Sequence, residues 1–493
     1  MTAADADRIG PLTARHWALV LALIATASIA DDLLRMPVQV RDALEEILAA
    51  YRSSSVLDSF WTASFNAAYL RPLRIAQIKA LFDLAGGNYW LAYRGFHVLL
   101  LAACMLLFTR ALHVRTATDL VAAAFALTVL TGLHTFRSLI QEAFPINHFL
   151  EIAVFALATL NLAQGTRRVW TDLTALLLFA AASLTLESGL LIWVVAVSGW
   201  IFGLRGISGR GVLLMTGLLG VYFYLRFVSL AVGVPTLAER SSGYFFGVLE
   251  PEELQARFGH RVWWFRGYNV VASIMSVLFS EPQSGVFATT RSWKEAHVVA
   301  WQVIAAVSSL ITTGVIAVVA VGHSRRRLRP APASAADGAA GGAADGARDA
   351  ALLGVGATVL IASAVLSFAY TKDDIMSTAG VFYALAAYVS VRHVLTACAG
   401  WRAAKTAAVV ALLFLAAATW SVRSLGIHHV ASAAAFKTRN DWAFQPDTWK
   451  REGRWPARAD EQRLLQRLRA QALAMPAPNP TFDWRWADRV WGD

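Results

Sequence analysis

Two adjacent carboxylates, Asp31 and Asp32, follow directly on an apolar segment that begins near residue 13. Charge is costly next to hydrocarbon, so carboxylates at the end of an apolar helix indicate a function. A carboxylate there could take the proton of an acceptor hydroxyl, or hold a divalent cation such as Mg²⁺ or Mn²⁺. Neighbours on a helix point about 100° apart, so only one of them can face a cavity squarely. We take Asp31 as the base, with an ion pair to Arg35 or a helix cap as the structural alternatives.

Three arginines could bind a phosphate group. Arg71 precedes Pro72, and its planar guanidinium matches phosphate oxygens in a bidentate way. The alternative is an arginine that reaches toward the membrane interface while Pro72 sets the start of a helix. Arg74 lies on the same segment, and Arg226 is a charge within an apolar segment. A lipid phosphate or a pairing with Glu187 would each explain Arg226, and the two roles are compatible.

Further charged residues fall in two short turns. Glu187 is followed by Ser188-Gly189 between two apolar segments, so we expect its carboxylate at or just inside a membrane interface, as a substrate ligand or as a tie between two helices. Lys372 and Asp373 could form a second charged wall of the same cavity, or only a solvated turn. No phosphate-binding loop, dinucleotide motif, nucleophile elbow or cysteine–histidine metal pattern occurs in the sequence.

The composition identifies the class of protein. Of the 493 residues, 57% are hydrophobic, against about 45–50% in soluble domains. Repeated apolar runs of about 17–25 residues predict an all-α polytopic membrane protein with about eleven spans. The net charge of +11 falls largely between the spans, which favours anionic membrane lipids over nucleic acid as partners.

The predicted spans divide the chain into a transmembrane domain, 1–422, and a polar tail, 423–493. Within the domain, two long loops are expected at 31–90 and 234–297, the first with amphipathic helices at 40–52 and 74–84. A flexible linker is expected at 323–350, because its Ala/Gly/Asp-rich part has too little apolar surface to fold. Arginine and lysine favour the cytoplasmic side, so we expect the N-terminus inside and the loops and tail outside.

The first loop carries three motifs in a fixed order: Asp31-Asp32, then Asp58 with Phe60-Trp61, then Arg71-Pro72-Leu73. This order resembles the first extracytoplasmic loop of GT-C glycosyltransferases, in particular the TMTC and protein O-mannosyltransferase type. The resemblance covers mainly residues 16–110 and extends more weakly to about 205. It implies a GT-C-like helix bundle, a polyprenyl-phosphate sugar donor, and a glycan, lipid or protein acceptor at the outer face of a bacterial inner (plasma) membrane.

The sequence departs from that family at several positions. Leu70 stands where the family has Tyr, Arg94 and His97 stand where it has His and Asn, and Leu186 replaces a lysine before Glu187. The tail also lacks the tetratricopeptide helices of TMTC proteins, so an envelope glycan or lipid acceptor is at least as consistent as a protein. Two other functions fit the sequence: a transporter or lipid flippase, and a noncatalytic subunit of envelope assembly.

Overall fold

The computed structural model describes residues 8–9, 12–40, 42–66, 69–141, 145–230, 241–244, 246–281, 285–328, 340–398, 400–453 and 455–475. Nearly all of this is helix, apart from two antiparallel hairpins, β1 (Arg8–Ile9) with β2 (Leu12–Thr13) and β3 (Ser241–Gly243) with β4 (Gly247–Leu249). The predicted all-α polytopic membrane class is therefore confirmed.

The first half of the chain forms eleven of the described α-helices. They are α1 (Ala14–Leu34), α2 (Asp42–Arg52), α3 (Val56–Asn66), α4 (Pro72–Leu84), α5 (Tyr89–Leu112), α6 (Ala117–Gly132), α7 (His134–Gln141), α8 (His148–Gln164), α9 (Val169–Thr185), α10 (Leu191–Ile201) and α11 (Gly209–Phe223). A 3₁₀ turn, Glu187–Leu190, joins α9 to α10, and a π-helical segment, Tyr224–Ser229, extends α11.

The second half contributes fewer and longer helices. They are α12 (Pro251–Phe258), α13 (Val262–Phe279), α14 (Val286–Lys294), α15 (Ala300–Leu328), α16 (Ala340–Leu366), α17 (Ser377–Cys398), α18 (Ala403–Arg451) and α19 (Ala459–Ala474).

Within the described residues, seven helices are long and apolar enough to cross a bilayer, and an eighth span forms if the bent pair α6–α7 is counted as one. Three further apolar segments, α8, α9 and Glu187–Ile201, are 10–17 residues long. A bilayer needs about 20 helical residues, with a lower limit of about 17. The count of about eleven spans thus stays a prediction.

Helix α17 is the centre of the bundle. Every residue from Ser377 to Val391 is buried, with α6, α16 and α15 packed around it. Small residues permit this close packing, because a Cβ on Gly380 would lie 2.3 Å from Oγ1 of Thr135. Next to this contact the predicted span at about 119–136 bends by 64°, since α6 ends at Gly132 and α7 begins at His134.

The helices join two polar ends. At one, which we call the loop end, Asp32 meets His428, Arg71 meets Glu187 and His134 meets Asp373. At the other, the basic end, Arg348 meets Gln164, Arg392 meets Asp119, and Ser208 meets Asp172.

The predicted loop and linker boundaries are corrected in three places. The first loop contains three helices, α2, α3 and α4, where two amphipathic stretches were expected. The predicted linker 323–350 is helical at both ends: α15 continues to Leu328 and α16 begins at Ala340, with 329–339 outside the described residues. Alanine is the strongest helix former, and Arg348 and Asp349 bind across the basic end to Gln164 and Arg392.

The boundary at 422 does not interrupt a helix. Helix α18 is 49 residues long and ends at Arg451. Its length is about 74 Å, compared with about 30 Å for the hydrocarbon core of a bilayer. Beyond residue 422 it keeps a buried apolar stripe that includes Ile427, Ala431, Ala435 and Trp442. The polar tail is therefore anchored to the bundle by this helix, and residues 476–493 of it lie outside the described part.

Candidate functional site

The two carboxylates that end the first apolar segment face different partners. Asp31 pairs with Arg35 one turn later on α1, at 2.5 Å, and its side chain is 62% exposed. Asp32 lies 2.5 Å from Nδ1 of His428 on α18, and its side chain is 12% exposed. The two side chains have different partners, as expected for neighbours on a helix. The ion pair between Asp31 and Arg35, which was the structural alternative for Asp31, is formed.

Asp31 lines an open groove of about 910 Å³ at the loop end. The turn after α4 and the last turns of α19 form its other walls, with Asn88, Trp90, Arg467 and Gln471. Gln471 is fixed by donating to the carbonyl of Gly87 at 2.7 Å. Its Oε1, and Nε1 of Trp90, are buried atoms without a hydrogen-bond partner among the described residues. An indole, an amide and a carboxylate in one open groove can bind a polyhydroxylated molecule.

His428 is a site residue that the sequence analysis missed. It projects from the part of α18 that was assigned to the tail, 396 positions away from Asp32 in the chain. Its distance from Asp32 fits a hydrogen bond between the imidazole and the carboxylate. This contact joins the end of α1 to α18. The neighbouring pair His428-His429 in an amphipathic stretch was the available signal.

Arg71, Glu187 and Arg226 form one cluster, as the sequence allowed. Arg71 donates to both carboxylate oxygens of Glu187, with Nε to Oε1 at 3.2 Å and Nη2 to Oε2 at 2.5 Å. Arg226 approaches the same carboxylate at 3.3 Å and donates to the hydroxyl of Tyr222 at 2.8 Å. Two guanidinium groups thus share one carboxylate, which leaves an excess of positive charge.

Local structure sets this cluster. Pro72 occupies the first turn of α4 and places Arg71 at its N-terminus, where the guanidinium stacks on Tyr69 at 4.3 Å. The turn that holds Glu187 needs Gly189, since a Cβ there would lie 2.1 Å from the carbonyl oxygen of Ala182. Arg226 lies in the π-helical segment, a deviation from α-helix that is frequent at functional sites.

Arg74 and its neighbours form a second polar layer behind this cluster. The guanidinium of Arg74 donates to Glu46 on α2, so this predicted substrate ligand ties two first-loop helices together. One turn later Gln77 donates to Glu151 at 2.6 Å, and Glu151 is 3.2 Å from the buried His148. The layer therefore joins α2, α4 and α8.

Lys372 and Asp373 have different surroundings, and their role as a charged wall stays a prediction. Lys372 is exposed, with Nζ 5.0 Å from the ring of Tyr370. Asp373 accepts from Tyr244 at 2.8 Å and lies 3.4 Å from Nε2 of His134. Burial opposes ionisation of Asp373, but His134 and Tyr244 together hold its pKa below the ordinary value. Asp373 thus joins the β3–β4 region and the segment before α17 to the start of α7.

The motif residue Asp58 and the two departures from the family pattern, Arg94 and His97, have structural contacts. Asp58 accepts from the backbone N–H of Ser54 and the hydroxyl of Ser53, each at 2.9 Å, and these hydrogen bonds lower its pKa. It therefore stabilises the start of α3. Arg94 and His97, which depart from the GT-C pattern, are both buried and lie 3.3 Å apart.

The two carboxylates have different partners, a guanidinium for Asp31 and an imidazole for Asp32. Within the described ranges, no group of three or more His, Cys, Asp or Glu side chains could hold a metal ion. A divalent cation at Asp31 and Asp32 stays a prediction.

Compared with protein-family models, curated proteins and solved structures, the chain matches none. The described contacts join Arg71, Glu187 and Arg226 to one another, whereas Asp31 and Asp32 contact Arg35 and His428 at the same end of the bundle.

Proposed function

We propose that the protein is a GT-C-like membrane glycosyltransferase that moves a sugar from a polyprenyl-phosphate donor to an acceptor at the loop end. The observation that carries this proposal is the sharing of Glu187 by Arg71 and Arg226. The uncompensated guanidinium charge at the end of an apolar bundle suits a lipid phosphate. The order of the first-loop motifs supports the same conclusion.

The surface beside Arg226 suits a lipid tail. Arg226 itself is 7% exposed, while the adjacent face of α11 and its extension exposes apolar side chains, among them Leu214, Val221, Leu225 and Val228. A lipid chain along this face would bring its phosphate toward Arg226 and Arg71. A soluble nucleotide sugar would gain nothing from such a surface.

In the proposed reaction the acceptor hydroxyl binds in the groove and Asp31 acts as base. The groove adjoins the end of α4 and Arg71 its start, about 20 Å away, so the donor sugar reaches Asp31 only if the first-loop helices bring the two sites together. The acceptor oxygen forms a bond to the sugar's anomeric carbon as the bond from that carbon to the phosphate oxygen breaks. Asp31 accepts the hydroxyl proton, and the electron pair leaves with the polyprenyl phosphate, whose charge Arg71 and Arg226 stabilise. Arg35 orients the Asp31 carboxylate, and Asp32 anchors α1 through His428.

For orientation we propose that the basic end lies in the cytoplasm of a bacterial cell, and the loop end and tail outside its inner membrane. Short connections at the basic end carry Arg110, Arg115, Arg167, Arg168 and Arg205. The preference of arginine for the cytoplasmic side places the N-terminus inside, and eleven spans would place the tail outside. The acceptor is then an envelope glycan, lipid or protein.

A transfer assay with Asp31→Asn tests the proposal. Labelled polyprenyl-phosphate sugar and a membrane acceptor extract should give product with the wild-type protein and about 10²–10⁴-fold less with Asp31→Asn, because Asn cannot take the proton. The matched control is Glu295→Gln, another exposed carboxylate in an i,i+4 pair, at 3.0 Å from Arg291, and it should keep full activity. Equal transfer by the Asp31→Asn protein would remove Asp31 as the base.

One observation favours a second function, a noncatalytic subunit of envelope assembly. The carboxylate of Asp31 is paired with Arg35, so a structural role explains this residue without catalysis. This function predicts that no polyprenyl-phosphate sugar serves as donor for the wild-type protein. Donor binding without transfer, together with co-purification of a transferase, would favour it over the enzyme.

A further inference from the structure

A pocket at the basic end is distinct from the sites described above. It lies between α1, α5 and α8 and has a volume of about 620 Å³, within the usual range for ligand pockets. Four basic side chains line its mouth: Arg15, Arg110, His113 and Arg115. The floor is apolar, with Ala18, Leu19, Leu106 and Leu107.

The charge around this pocket is unbalanced. Arg15 and Arg110 are both exposed, and Arg115 pairs with Asp345 only at 3.7 Å with both side chains about half exposed. His113 ends α5 in a left-handed conformation, φ 54°. Burial lowers its pKa to about 4, and Arg348, Arg115, Arg15 and Arg110 all act in the same direction. An anion in the pocket would relieve this repulsion.

A buried amide donor in the pocket wall also indicates a ligand that accepts hydrogen bonds. Oε1 of Gln164 accepts from Nε of Arg348 at 2.8 Å, which fixes the orientation of the amide. Its Nε2 is therefore a donor, and this buried atom has no hydrogen-bond partner within the described residues. A buried donor without a partner is costly unless a ligand satisfies it.

We propose that this pocket binds the headgroup of an anionic phospholipid, with its phosphodiester held by Arg15, Arg110 and Gln164. The apolar floor distinguishes a lipid from a free phosphate, since an acyl chain can lie along Leu19, Leu106 and Leu107. Basic pockets between transmembrane helices are suited to acidic lipid headgroups. The site is separate from the proposed transfer site and does not depend on it.

Native mass spectrometry and lipid competition test the site. The full-length protein in neutral detergent is titrated with phosphatidylglycerol, phosphatidylcholine and inorganic phosphate. We expect phosphatidylglycerol to bind at least about tenfold more tightly than phosphatidylcholine, and millimolar inorganic phosphate not to displace it. Displacement by phosphate would overturn the lipid assignment, as would equal binding of the two lipids.

The variant Arg15→Gln/Arg110→Gln should weaken phosphatidylglycerol binding by about tenfold or more, through loss of two charged hydrogen-bond donors. The control Arg167→Gln/Arg168→Gln removes two exposed arginines at the same end, neither of which lines the pocket, and should bind as the wild type does. Equal weakening in both double variants would show general charge attraction and overturn the site. All these positions are exposed, so folding is checked simply by the melting temperature.

A second readout follows His113 by NMR. A bound phosphodiester should raise the pKa of His113 from about 4, because the anion offsets the surrounding guanidinium charge. Addition of phosphatidylglycerol without any change in the His113 titration would contradict the proposal even if the lipid binds elsewhere.

Discussion

The two ends of the bundle each contain an ion-pair triad, buried at the basic end and partly buried at the loop end, and the two triads have opposite charge ratios. At the basic end, one guanidinium, Arg392, serves two carboxylates, donating to Asp349 and lying 3.7 Å from Asp119. At the loop end, two guanidiniums, Arg71 and Arg226, share the single carboxylate of Glu187. In the first triad two carboxylates compensate the charge of the arginine, and the triad serves the fold. The second leaves cationic capacity, which is what a site for an anion requires.

The largest effect on stability is expected from Arg392→Gln. Loss of the guanidinium leaves Asp349 and Asp119, whose side chains are 7% and 9% exposed, without their cation. Removing one partner of such a buried pair costs about 3–5 kcal/mol. Thermal unfolding in detergent should show a large decrease in melting temperature. Arg291→Gln, in an exposed pair with Glu295, is the control and should change little. A melting temperature equal to that of the wild type would remove the structural role of this triad.

Glu187→Gln should separate the two triads by their response to a ligand. Without its carboxylate the loop end is destabilised, by about 1–3 kcal/mol, because two partly buried guanidiniums lose their charged acceptor. Polyprenyl phosphate should restore stability and stabilise this variant more than it stabilises the wild type, since the phosphate supplies the missing charge. The same lipid should stabilise Arg392→Gln only as much as it stabilises the wild type, because the loop-end site of that variant is unchanged. An equal gain in melting temperature for Glu187→Gln and Arg392→Gln would contradict the assigned difference.

Asp32→Asn should have a smaller effect. The variant loses the charged partner of His428 and should lower stability by about 1–2 kcal/mol, measured by thermal unfolding. Its specific activity should fall less than that of Asp31→Asn, because Asp32 joins α1 to α18 while Asp31 lines the groove. If Asp32→Asn abolished transfer at unchanged stability, the two roles would have to be exchanged.

The smallest effect is a pH dependence at Asp373. Its pKa is held below the ordinary value in the fold, so its carboxylate contributes stability above the unfolded pKa of about 3.9. That contribution is lost as the pH falls through the lower, folded value. Melting temperatures between pH 6 and pH 3 should therefore decline less steeply below about pH 4 in Asp373→Asn than in the wild type. Parallel curves would show that Asp373 makes no such contribution.

The sequence predicted the membrane class, the end of α1 at the two aspartates and the association of Arg226 with Glu187. These follow from hydropathy and from the cost of charge in an apolar segment. It did not predict the length of α18. Hydropathy indicates where a helix leaves the lipid, whereas α18 continues beyond that point because side chains such as Ile427 and Trp442 are buried. The contact of Asp32 with His428 was not predicted either, because it depends on the packing of α1 against α18. The two residues are 396 positions apart in the chain, and local sequence carries no information about such a contact.

The helical start of α16 shows another limit of composition. Ala/Gly/Asp-rich sequence lacks the apolar surface for a core, and this favoured a flexible segment. In the fold, Arg348 and Asp349 each find a partner on another helix, Gln164 and Arg392. Tertiary contacts of this kind stabilise a helix beyond what its own side chains provide.

Direct binding of polyprenyl phosphate tests the central claim, that the excess charge at the loop end holds the donor phosphate. Wild-type protein should bind the lipid, and Arg71→Gln and Arg226→Gln should each bind about tenfold or more weakly, since each loses a charged hydrogen bond to phosphate. Arg291→Gln should bind as the wild type does. If Arg71→Gln and Arg226→Gln both retain wild-type affinity while remaining folded, the loop-end triad is not the phosphate site and the account fails.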